Sequence, residues 1–420
     1  MEVRIKESNA FSTYQKLIIF LLATTQFTVI LDFVVMSPLG DMMMKSLKIT
    51  TSQFGAAVSA YAFSAGISGL LTAGFADRFD RKKLLVVFYI GFIGGTLFCG
   101  LAPDYHWLVI ARIITGLFGG VIGATTMAIV TDLFTFQQRG KAMGFLTMGF
   151  SVSQVLGIPI GLYIANIWGW HIPFIWIALM SALLALTLYF KMSPIVEHLS
   201  MQRDKSAFQH LWHVLNLRTY KIGFLTTALL SVGGFMLMPF GSAFAINNLK
   251  ITEQQLPLLF MFVGIGTFIA MPIIGTLSDK VSKFRIFATT TVLAVIIMNI
   301  YGRYAATPFY IVLLTLIPMM MAIMGRVVPA MALTSSLPKP QDRGAFMSLN
   351  SSLQQISGGF GAMISGLIIF QENNYAPLQE FDTMVVIAST IMLFTIYLMY
   401  QVNKLVNIEN ESQMPQVSQA

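Results

Sequence analysis

Three charged side chains stand where a charge is costly. Asp32 interrupts "TVILDFVVMSP" (28–38), Arg112 interrupts "ARIITGLFGG" (111–120), and Arg326 lies in a third apolar run with Pro329 close by. If these runs cross a bilayer, each charge costs about 2.5–3.5 kcal/mol on insertion. Burial raises the proton affinity of a carboxylate, and a nearby guanidinium lowers it. An acid and a base held together in apolar surroundings therefore suit the uptake and release of a proton. The plainer alternative is a static salt bridge. Arg326 has no acid in the neighbouring apolar runs, so it either stretches along its aliphatic stem to water or meets an anionic ligand. Gln154, Asn350 and Gln354 are neutral polar candidates, and the last two are spaced i, i+4 on one helical face. They either line a cavity or join helices by hydrogen bonds.

Other chemistry is poorly supplied. Cys99 is the single cysteine, so disulfides and cysteine-based metal clusters are excluded. His106, His171, His198, His210 and His213 fall at or outside the ends of the apolar runs. There is no metal-ligand cluster, no phosphate loop and no Ser/His/Asp set within them, so neither enzyme, cofactor nor metal is expected. Only 10% of the residues are charged, against about 25% in soluble proteins.

The elements that must carry these residues are long apolar runs. A span needs roughly 20 mostly apolar residues. Twelve such runs can be read, at about 17–39, 53–73, 84–101, 107–132, 140–165, 171–191, 221–246, 255–276, 285–304, 309–333, 344–370 and 382–402. They are long and do not alternate, which argues against a β-barrel. Asp32 lies roughly 24 Å along its helix from Lys16, and Arg112 roughly 30 Å from Asp132 on an antiparallel one. Both therefore sit in the outer half, where they could pair or face one cavity. Placing the N-terminus in the cytoplasm puts twenty Lys and Arg on the cytoplasmic side and four (Lys45, Lys48, Lys250, Arg303) opposite. That asymmetry predicts cytoplasmic termini. It also accounts for the net charge of +8 without nucleic acid. The expected organisation is a six-helix bundle over 1–191, a linker over 192–220, a second bundle over 221–403 and a polar, disordered tail over 404–420.

The two halves repeat each other. "AGFADRFDRKKLL" (73–85) is matched by "GTLSDKVSKFRIF" (275–287), and "FQQRGKAMGF" by "KPQDRGAFMSL". Asp77 aligns with Asp279 and Arg139-Gly140 with Arg343-Gly344, at nearly one offset, which argues for parallel repeats. On these motifs the chain resembles the major facilitator superfamily across nearly its whole length. The likeness is greatest to its twelve-helix drug:proton antiporters and arabinose-efflux-like members. The family signature after helix 2 survives in its charges, Asp77, Arg78, Arg81 and Lys82, while Ala73 and Asp80 replace its glycines.

The resemblance implies an all-α integral membrane protein of two pseudo-symmetric six-helix bundles. It further implies a conformational lock of Asp77, Arg78, Arg81, Asp132 and Asp279 on the cytoplasmic rim. Ser336 stands at the repeat position of Asp132, which would weaken the second copy. Arg112 matches the family's helix 4 arginine, thought to influence proton transfer, and Asp32 is then the proton carrier. Gly157, Pro159 and Gly161 resemble the antiporter motif of helix 5, although small residues there equally serve close helix packing. The expected function is proton-coupled export of a small organic molecule by a monomer in the inner membrane, with substrate, protons and lipid as partners. The alternative is uptake by symport or facilitation. A non-transporting sensor is the remaining class, and no soluble domain supports it.

Overall fold

The computed structural model describes residues 11–196, 199, 207–339 and 341–413. The first half holds α1 (Thr13–Val35), α2 (Gly40–Leu47), α3 (Thr51–Phe75), α4 (Arg81–Gly100), α5 (Tyr105–Leu133), α6 (Phe136–Val152), α7 (Ile158–Trp168) and α8 (His171–Lys191). A linking helix α9 (Ala207–Asn216) follows. The second half holds α10 (Arg218–Phe235), α11 (Gly241–Ala243), α12 (Leu256–Lys280), α13 (Lys283–Tyr301), α14 (Phe309–Gly325), α15 (Val327–Ser335), α16 (Arg343–Ile368) and α17 (Phe381–Gln413). Among the described residues no named strand occurs; one isolated bridge joins Phe370 and Gln379.

Helices dominate because a chain in lipid must satisfy its backbone internally. Starts are set by side-chain caps: Ser12 with Gln15, Thr50 with Gln53 and Thr135 with Gln138 form capping boxes. Ten candidate spans are long and apolar enough to cross a membrane. Six of these lie in the first half and four in the second, and helices α10 and α16, which are more polar, complete the second six; α16 packs against α3 of the first half. Their lipid-free faces carry Thr226, Thr227 and Ser231 on α10 and Ser352, Ser357 and Ser365 on α16, all buried. Large apolar side chains such as Leu183, Phe190 and Leu314 point outward.

Several expected spans are broken. The fifth is α6, a π-helical turn (Ser153–Gly157) and α7. The seventh stops at Phe235 and resumes as α11 and a second π turn, Phe244–Asn248. The tenth divides at Arg326. Two boundaries are corrected. The second bundle begins at Arg218 rather than 221, with α9 inside the linker. Residues 404–413, expected as disordered tail, continue α17, because Val402, Val406 and Met399 pack it onto the second half. Residues 414–420 lie outside the described set.

Three apolar cores organise the molecule. At the end carrying the termini each half has its own, around Leu22, Tyr89 and Ile129 in one and Phe224, Phe287 and Phe346 in the other. At the far end one core joins both halves, including Val34, Met36 and Leu39 with Met236, Phe240 and Ile369.

Candidate functional site

Asp32 on α1 and Arg112 on α5 meet. Arg112 Nη1 donates to Asp32 Oδ2 at 2.8 Å, and both side chains are fully buried. The same nitrogen lies 3.4 Å from the Asp32 carbonyl. The guanidinium sits 4.5 Å above the ring of Tyr61 on α3, a cation–π contact strengthened by burial. Glycines bring α5 against α3. A Cβ on Gly116 would lie 2.4 Å from the Tyr61 carbonyl, and one on Gly120 2.3 Å from that of Ala65. The pairing is incomplete: Asp32 Oδ1 and Arg112 Nε and Nη2 are buried without hydrogen-bond partners.

Aromatic rings continue from Tyr61 into the second half. Tyr61 stacks on Phe33 at 5.0 Å, and Phe33 lies 6.0 Å from Phe235 at the end of α10. The residue before it, Gly234, faces Arg326, whose Nη2 would be 3.4 Å from a Cβ placed there. Arg326 Nη2 donates to the Leu230 carbonyl at 3.3 Å, and its Nε and Nη1 have no partner. Tyr61, Phe33 and Phe235 were not singled out from sequence. Their types are common in spans, and only the tertiary contact distinguishes them.

The helix 5 motif forms a wedge. Gly157 lies under Leu31 and Gly161 under Val35, where a Cβ would come within 2.6 and 3.0 Å. Ser153 Oγ donates to the Gly149 carbonyl at 2.7 Å. On the other side Gly264 of α12 abuts the Gln154 carbonyl, where a Cβ would approach to 2.7 Å. Pro159 lies in the first turn of α7, where its missing N–H is tolerated. The half-buried Gln154 thus belongs to the contact between halves. Asn350 Oδ1 is buried without a partner, and Gln354 is half-buried.

At the terminal rim Arg81 Nε pairs with Asp132 Oδ2 at 3.0 Å, joining α4 to α5 within one half. Arg78 is exposed. The side chains of Asp77 and Asp279 lie outside the described residues. Asp80, which replaces a family glycine, has work of its own. It caps α4 through Lys82 N at 2.9 Å and holds the start of the linker through Ile195 N at 3.0 Å. Asp342, also unnoticed in the sequence, accepts from Tyr220 Oη at 2.9 Å and lies 3.6 Å from His210 Nε2 on α9.

The far end is closed by polar contacts as well as by the shared core. Asn247 Nδ2 donates to Asp41 Oδ1 at 2.5 Å, and Lys45 pairs with Asp41 at 2.7 Å. Ser242 Oγ donates to the Ser37 carbonyl at 3.0 Å, and Ser37 Oγ to the Met238 carbonyl. Thr51 Oγ1 donates to the Ile369 carbonyl at 2.6 Å. Burial pushes the Asp41 carboxyl above the ordinary carboxylate value; Lys45 and Asn247 oppose this and Glu253 adds to it.

Comparison with known proteins agrees with this architecture. The chain is 24% identical over 381 residues to the uncharacterised MFS-type transporter YceJ of Bacillus subtilis (strain 168), spanning 90% of this chain and 96% of that one. It is 23% identical over 369 residues to Multidrug resistance protein 2 of the same organism, spanning 86% and 91%. A bacterial homologue of the human lysosomal transporter Spinster, solved in an inward-facing and unoccupied conformation, superposes with a TM-score of 0.71 at 16% identity, covering 96% of this chain and 98% of that one. The model of the Major Facilitator Superfamily matches residues 22–362 and 223–414, and the chain, with its two six-helix bundles, belongs to that family of membrane transporters.

Proposed function

We propose that this transporter is a proton-coupled exporter of a small organic molecule, working by alternating access in the inner membrane with both termini in the cytoplasm. One observation carries the reading: the fully buried Asp32–Arg112 pair at 2.8 Å. Asp32 is the carboxylate set within a span away from its ends. A proton on Asp32 removes the attraction that holds Arg112, so the pair loosens and α1 and α5 are free to repack. Release of the proton restores the pair. Proton and conformation are coupled only if the contact differs between states, since a permanent pair would hold Asp32 ionised throughout the cycle.

The far-end seal and the separate cores at the terminal end fit a conformation open toward the termini. The basic loops there favour the cytoplasm, which makes this conformation inward-open. Export is supported by the helix 5 wedge and by the likeness to a protein named for multidrug resistance. The exporter is expected to act as a monomer, with lipid as its only other neighbour.

Everted vesicles with an acidified lumen test the direction. Antiport accumulates substrate in the lumen; symport drains it. Across a panel of dyes, sugars, amino acids and aromatic carboxylates, the parent should accumulate at least one class. Asp32→Asn should lose the gradient-driven accumulation and keep downhill exchange, because the amide resembles the protonated acid. Equal pumping by Asp32→Asn removes Asp32 as the proton site.

A further inference from the structure

Arg326 is 1% exposed, and the described residues offer it one hydrogen bond, to a backbone carbonyl. An arginine remains charged in proteins, and a buried charge without a counter-charge is strongly unfavourable. In the second half no carboxylate stands within a span away from its ends. The Asp32 and Arg112 charges cancel in the first half. Among the described residues the membrane spans therefore carry one uncompensated buried positive charge, on Arg326.

Its side chain does not run to water. Ser335, at the terminal end of α15, lies about 14 Å from Arg326 at about 1.5 Å per residue. Leu230, whose carbonyl the guanidinium reaches, lies about 18 Å from the start of α10 on the same reckoning. The guanidinium thus points toward the bundle interior rather than the nearer rim. Gly234 packs beside it, and the next residue, Phe235, meets Phe33 across the interface between halves. A cation with two unpartnered nitrogens lies beside an aromatic contact that spans both halves.

We propose that Arg326 is the anion-binding group of the substrate site, and that the substrate is an organic monoanion, a carboxylate attached to an apolar or aromatic body. One guanidinium supplies one charge and planar donors matched to a carboxylate; a phosphate dianion would need a second cation. Phe33 and Phe235 provide the apolar surface. The carboxylate would replace the missing counter-charge, so the loaded site is neutral and the empty one is not.

The inference rests on the transport reading for access to the site, yet its test needs no transport. Purified protein in detergent is melted with matched pairs: 1-naphthoate and 1-naphthamide, benzoate and benzamide, hexanoate and hexanamide, with inorganic phosphate as the dianion arm. The parent should be stabilised by carboxylates more than by their amides, and not by phosphate. Arg326→Gln should weaken carboxylate binding roughly 10- to 100-fold, the usual worth of a charged hydrogen bond, and leave amide binding alone. Arg326→Lys should keep part of the preference. The unliganded melting temperature of Arg326→Gln should equal or exceed the parent's, which a merely structural arginine would not allow. Equal shifts by acid and amide in the parent, no shift by any carboxylate, or a preference that survives Arg326→Gln would each overturn the proposal. Pumping that fails while carboxylate binding persists would count against the transport reading alone.

Discussion

At the scale of single residues, the Asp32–Arg112 contact makes a thermodynamic prediction separate from transport. Removing one member of a buried pair strands the other, at about 3–5 kcal/mol, whereas removing both can be nearly neutral. Asp32→Asn and Arg112→Gln should each lower the melting temperature in detergent, and the double variant should recover most of the loss. A double variant as unstable as the worse single one would show that the two charges do not depend on each other. These residues were legible in the sequence because a charge in an apolar run is conspicuous and helix geometry placed both in the outer half. Tyr61 under the guanidinium was not legible, since a tyrosine in a span has many ordinary uses.

At the scale of elements, twelve apolar runs were readable because lipid demands length and hydrophobicity. The breaks within them were not. The π turn at Ser153–Gly157 and the interruption after Phe235 are settled by what the neighbouring helix presses against them. Gly264 illustrates this: its side faces the backbone of Gln154, where a Cβ would stand at 2.7 Å. Gly264→Ala is expected to cost about 1–3 kcal/mol by overpacking and to widen the contact between α12 and the π turn. Gly94, whose Cβ position is clear of other atoms, provides the control, and Gly94→Ala should melt at or above the parent's temperature, since alanine is the better helix former. Thermal melts of the two variants decide the point; similar values for both would mean that the wedge yields without strain.

At the scale of the whole molecule, the seal between halves is expected to respond to pH. Burial holds the Asp41 carboxyl above its ordinary value, against Lys45 and Asn247 and with Glu253. The sealed form therefore binds a proton at Asp41 more readily than a form in which Asp41 faces water. Its contribution to closure is full below the ordinary carboxylate value and is lost as pH rises through the raised one. Labels on Lys48 and Asn373, which are exposed on opposite halves, should report a shorter mean distance at acid pH. Asp41→Asn should flatten that dependence, and an unchanged pH profile in this variant would assign the response to another group. Asn247, the partner of Asp41 206 residues away along the chain, had no local signal in the sequence.

The sequence alone determined the membrane class, the number of spans, the repeat and the identity of the interior charges. Each of these follows from local composition or from spacing along one helix. Tertiary structure decided which charges are paired. Arg112 met Asp32 because packing sets α5 beside α1 at that level, whereas among the described residues Arg326 met only a backbone carbonyl. It also decided which end is shut. Both ends carry polar residues capable of joining the halves, and the choice depends on which set is brought together by packing between elements more than 200 residues apart, as for Ser37 with Ser242.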